Sequence, residues 1–190
     1  MSLWGNDIKP KNLTDAEKKE VYATKQGWVR EAGSVLSGNG NTGADPEVLV
    51  AISNLSANMG AANITEIEFV TTSFDKSDGG NIDVRVRFNE PVTVTGTPRV
   101  SITNGNQGTG TGRGPHLANY LSGSTTNELT FRCTIGAANS ATNAGDILVI
   151  GTNATALNSG TIKDTGEGTV ATITNTSAQG TAAGSITVAA

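Results

Sequence analysis

Apolar and polar positions alternate along residues 81–103, "NIDVRVRFNEPVTVTGTPRVSIT". Ile82, Val84, Val86 and Phe88 interleave with Asp83, Arg85 and Arg87, so one face is apolar and the other charged. A period of two is the signature of a half-buried strand. Glu90-Pro91 interrupts it, Val92 and Val94 resume it, and "GTP" at 96–98 predicts a turn before Val100 and Ile102. The same alternation marks "ITEIEFVTT" from Ile64, "LANYLSG" from Leu117 and "ELTFRCTI" from Glu128, where Leu129, Phe131, Cys133 and Ile135 share a face. "DILVI", "ALNSGTIKD", "TVATITN" and "SITVAA" follow. About seven to nine short strands separated by turns predict an all-β fold, a two-sheet antiparallel sandwich over 63–190.

Residues 1–62 follow another pattern and are predicted to form a separate region. "LTDAEKKEVYATKQG" opens with a capping box: Thr14 can accept the Glu17 amide while Glu17 reaches back to Thr14. The predicted helix is short, with Gly27 as its terminator and a weak stripe of Ala16, Val21, Tyr22 and Ala23. "GWVREA" and "EVLVAI" then predict a loose β-hairpin across a Gly/Asn/Ser-rich connection. Asp45-Pro46 could instead start a helix through Ile52, since Asp caps well and Pro suits the first helical position; the run Val48 to Ile52 favours strand.

Composition narrows the function more by exclusion. A net charge of −4 gives no electrostatic reason to bind nucleic acid or an anionic membrane. No run reaches the roughly 18–20 apolar residues needed to span a bilayer. The start "MSLWGNDIKPK" lacks the pattern of a secretory signal, so synthesis in a cytoplasm is expected. His116 is the single histidine, which rules out a Ser-His-Asp triad or a His-rich metal site; it is read as a solvated or locally hydrogen-bonded loop residue. Cys133 is also alone and reads as a buried small hydrophobe. "GNQGTGTGRG" has glycine spacings resembling a phosphate loop but no Lys-Ser/Thr ending, so it reads as an interstrand contact loop. Carboxylates at Asp75/Asp78, Glu90, Asp146 and Asp164/Glu167 suggest calcium less than ordinary turn-capping. No catalytic residue, metal site or cofactor is therefore expected, and the chain is not read as an enzyme.

"VRVRFNEPVTVTGTPRVSI", "ANYLSGSTTNELTFRCTI" and "ALNSGTIKDTG", in that order, resemble bacterial and phage immunoglobulin-like repeats. "MSLWGN", "GWV" and "EVLVAI" before a Gly/Ala-rich joint resemble small virion structural proteins of contractile-tailed marine cyanophages. The resemblance implies an immunoglobulin-like sandwich presented on a virion, most simply as a capsid decoration or cement protein bound to the major capsid protein. Neck, tail or fibre-associated positions, with a host-surface polysaccharide as ligand of the sandwich, are the alternative. Self-association on the particle is compatible with either. Attachment is expected from 1–62, through Trp4, Leu13, Trp28, Val48, Val50 and Ile52, with the polar faces of the sandwich solvated. Trp28 could also serve as core within its own hairpin.

Overall fold

The computed structural model describes residues 14–24, 27–34, 40–51, 61–104, 114–138 and 141–190. The chain is mostly β, as the alternation predicts. A short helix α1 (Asp15–Glu20) leads into a three-stranded antiparallel sheet of β1 (Val21–Thr24), β2 (Gly27–Arg30) and β3 (Glu47–Ala51). A larger sheet is built from β4 (Ile64–Phe69), β5 (Phe74–Asp75), β6 (Gly80–Thr95), β7 (Arg99–Asn104), β8 (His116–Ser122), β9 (Thr126–Ile135), β10 (Ile147–Ala156), β11 (Thr161–Asp164) and β12 (Ser185–Ala189). Its order is β11-β6-β9-β8-β7-β10-β12-β5, with β4 also on β6. A second short helix, α2 (Ser177–Ala182), precedes β12.

The predicted capping box is present: Thr14 Oγ1 accepts the Glu17 amide at 3.2 Å, and the Glu17 carboxylate accepts the Thr14 amide at 2.8 Å. The helix nevertheless stops at Glu20, well short of Gly27. Val21 to Thr24 extend instead, with Ala23 paired to Trp28 and Thr24 to Gly27. β-branched residues at 21 and 24 tolerate a strand better than a helical turn, and pairing with β2 decides the outcome. Residues 47–51 are strand rather than helix, as expected, and pair antiparallel with β2.

In the larger sheet the apolar face of β6 is wholly buried: Ile82, Val84 and Val86 have no exposed surface and Phe88 almost none. They pack in one cluster with Leu129 and Phe131 of β9, Val100 and Ile102 of β7, Leu148 and Ile150 of β10, and Ile186 and Val188 of β12. The sheet therefore curls, its two arms closing on a shared core. It is also mixed: β12 pairs with β5 in parallel, Val188 opposite Phe74, so the prediction of purely antiparallel pairing fails at this edge. "TVATITN" forms no named strand; Val170 and Thr172 make isolated bridges to Lys163 and Asn63. β6 pairs with β4 and β9 along its first half and with β11 along its second, with the β9 register shifting between Arg87 and Val92. The Glu-Pro interruption read in the sequence is this irregularity within one long strand.

Candidate functional site

The charged face of β6 lies under the N-terminal layer. Arg87 is only 6% exposed, whereas its period predicted a solvated position. One guanidinium nitrogen, Nη1, donates to the Lys19 carbonyl and lies 3.0 Å from Glu128 and 3.6 Å from Glu31. Its Nε stands 3.7 Å from Glu66 and 3.8 Å from Glu68. Lys19 closes the network from α1, with Nζ at 3.1 Å from both Glu66 and Glu68 of β4. Arg85 joins Glu68 at 3.5 Å to Glu128 at 2.8 Å. Register explains the assembly: Arg87 stands opposite Glu66 on one neighbour and Glu128 on the other. Opposite charges directly across strands attract, and burial strengthens them.

Burial pushes the Glu31 carboxyl above its ordinary range, with Arg87 pulling it back; burial likewise raises Glu66, opposed by Lys19. The Lys19 ammonium loses by desolvation but gains more from the Glu66 and Glu68 hydrogen bonds, so it is held above its usual value. Within the layer, Arg30 reaches Glu17 at 4.0 Å and Glu47 at 3.7 Å, tying α1 and β3 to β2. The described N-terminal residues thus order on the chain's own sheet, where ordering on a partner surface was expected.

This placement divides the expected attachment residues. Trp28 is 4% exposed and Val29 beside it equally buried, so Trp28 is core within its own chain and no anchor for a partner. Val48, by contrast, is 53% exposed on β3, whose described pairing is to β2 alone. Val50 stands opposite Trp28 and Val48 opposite Val29, with a register shift between them. Trp4, Leu13 and Ile52 lie outside the described residues, as does the loop at 105–113.

His116 begins β8 and is buried, contrary to the solvated reading; burial lowers its pKa while the neighbouring Asp146 opposes the shift. Asp146 accepts the Asn143 amide at 2.8 Å and the Asn104 side chain at 3.2 Å. Asp75 accepts the Ser77 amide at 2.7 Å. Asp164 accepts the Glu167 amide, also at 2.7 Å. These are the turn-capping roles expected of them, and the described residues hold no group of three His, Cys, Asp or Glu placed for a metal. Cys133 is partly buried against the core, and burial raises its thiol pKa.

Two features escaped the sequence reading. One is the covering of Arg87. The other is the burial of Glu90 and Asp164, two motif residues over 70 positions apart in the chain, on paired strands β6 and β11, where burial first and then Asp164 push the Glu90 carboxyl up to about 7. Comparison of the chain with protein-family models, with characterised proteins and with solved structures finds no match.

Proposed function

We propose that the protein is a virion structural component, a capsid decoration or cement protein whose larger sheet is an immunoglobulin-like sandwich. Strand order supports the fold half of this reading. Taken in chain order, β4, β6, β7, β8, β9, β10 and β12 correspond to strands A to G of an immunoglobulin domain. One arm then reads ABED and the other CFG, with the β7–β8 pairing joining them.

The observation that carries the attachment half is β3, an edge strand of the N-terminal sheet with Val48 turned to solvent. Such an edge offers backbone donors and acceptors for strand addition by a partner, and an apolar residue to bury with it. Trp4, Leu13 and Ile52 remain proposed contacts in the same region. The ion pairs beneath the layer give it a fixed base, so binding at β3 would hold the sandwich rigidly to the particle surface.

Co-sedimentation with purified capsids tests the reading. The full chain should sediment with them, and Val48→Lys should abolish this while leaving the melting temperature unchanged, because the site is exposed. A lysine variant that sediments normally places the contact elsewhere. A wild-type chain that stays in solution removes the capsid reading altogether.

A further inference from the structure

The N-terminal layer adds nothing to the apolar core of the larger sheet. Val21, Trp28 and Val29 are buried within the layer. Yet, among the described residues, every member of the core cluster and every half-buried apolar residue packed against it comes from Ala62 onward. Layer and sheet are therefore not two sides of one hydrophobic core.

Charge joins them instead. Lys19 Nζ reaches from α1 to Glu66 and Glu68 of β4, at 3.1 Å each. Arg87 of β6 donates in the other direction, to the Lys19 carbonyl, and its Nη1 stands 3.6 Å from Glu31, just beyond β2. The two charged side chains that the layer brings to this seam remain open to water, Lys19 with 40% of its side chain exposed and Glu31 with 38%. Ion pairs between groups so exposed are weak, and salt screens them.

The sheet beneath loses little if the layer lifts. Glu66 keeps Arg87, Glu68 keeps Arg85 and Arg87, and Glu128 keeps the same two arginines at 2.8 and 3.0 Å. No carboxylate of that face is orphaned. β4 and β9 both pair with β6, so no strand of the larger sheet loses a neighbour either. While the layer is seated, Arg87 Nε and Glu66 Oε2 are buried without a hydrogen-bond partner, 3.7 Å from one another. Water reaching them on lifting offsets part of the lost attraction.

We infer that the N-terminal layer is a strap seated by charge, which lifts off the β4–β6–β9 face as ionic strength rises while the larger sheet stays folded. Once lifted, strands of only four or five residues lose their support and melt, because so small a sheet is marginal alone. β3 is then lost as an ordered edge, so salt governs whether that edge is presented at all. The device is independent of what the protein attaches to.

Amide hydrogen exchange of the full chain in a salt series tests it. The Glu31 amide donates to the Glu20 carbonyl at 2.8 Å inside the layer and reports its integrity. Its protection should fall by about three- to tenfold between roughly 0.02 and 1 M sodium chloride, while that of the β9 amides holds. The Arg87 side-chain Nε proton, followed by nitrogen NMR, should exchange faster in parallel, because the layer is what covers it. Lys19→Met keeps the aliphatic stem and removes the charge. It should expose the Arg87 Nε proton already at low salt and flatten the salt dependence of both signals. A Glu31 amide as well protected as β9 at every salt concentration would overturn the strap. So would a salt slope that persists in full in Lys19→Met, or an Arg87 Nε proton whose exchange ignores salt. Should the variant's layer fail to form at all, its Arg87 proton at low salt must match that of the wild-type chain at high salt, and a slower exchange refutes the proposal.

Discussion

Arg87 illustrates what alternation can and cannot reveal at the scale of a residue. Its place on the polar face of β6 follows from Val86 and Phe88 on either side. That this face is covered does not, because a period of two assigns residues to faces and says nothing of what lies over them. Removing the Arg87 head group would leave Glu31, Glu66 and Glu128 facing one another under the N-terminal layer. Arg87→Met should therefore destabilise the chain by about 3 kcal/mol in urea unfolding, the cost of orphaning a buried ion-pair partner. Arg132, bidentate to Asp83 at 2.7 and 2.8 Å but at the surface, should show hardly any shift when changed to alanine. Equal effects from the two would mean that the layer does not cover Arg87 in solution. Phe131 was legible outright: it alternates inward, is fully buried, and meets Tyr120 edge-on at a centroid distance of 6.0 Å. Phe131→Ala should cost about 3–5 kcal/mol.

Elements were readable where pattern and local chemistry agreed. The capping box at Thr14 fixed a helix start, but no local signal fixed its end, since Val21 to Thr24 are claimed by a partner strand. The second helix was missed although Thr176 and Gln179 have capping-box spacing, because the flanking Thr and Ala residues mimic strand and turn. Gln179 does more than cap: it accepts the Thr176 amide at 2.7 Å and donates to the Ile64 and Thr65 carbonyls at 3.1 Å each. Gln179→Ala should cost about 1–2 kcal/mol, the sum of a weakened cap and lost anchoring to β4. A change within experimental error would show that α2 is held by its remaining contacts alone. Tight turns are equally local. Gly123 has φ +105° and a Cβ there would lie 2.0 Å from the Glu128 carbonyl oxygen, so Gly123→Ala must displace the β8–β9 connection.

For the whole molecule, three raised carboxyls contribute stability that falls as pH rises. Glu90, Glu31 and Glu66 all titrate above the ordinary carboxyl value of 4.5 in the folded chain. A raised carboxyl contributes stability that is complete below its unfolded pKa and lost as pH climbs through the folded one. For Glu90 that window runs from 4.5 to about 7. His116, lowered by burial, works the other way as pH falls, so the carboxyl is read by difference: Glu90→Gln should lessen the drop in thermal midpoint from pH 5 to pH 8, and an unchanged drop would contradict the raised Glu90 carboxyl. None of this was visible in the sequence, where Glu90 and Asp164 stand in separate motifs and the pairing of β11 with β6 sets them on neighbouring strands.

The parallel seam between β5 and β12 also governs how the protein comes into being. Phe74 waits for Val188, and between them lie most of the strands of the larger sheet. A contact so distant along the chain cannot nucleate folding, because closing so long a loop costs entropy that nearby hairpins need not lose. The early structure should be the β7–β8–β9 meander, whose neighbours in sequence are neighbours in the sheet. The β5–β12 seam would then be among the last to set, giving the slow, millisecond-to-second assembly typical of folds rich in distant pairings. Until it sets, Phe74 remains outside the core, and the flank of β12 that β5 covers is a bare edge open to other copies of the same chain. Crowded synthesis in a cell would thus test this protein at its seam first.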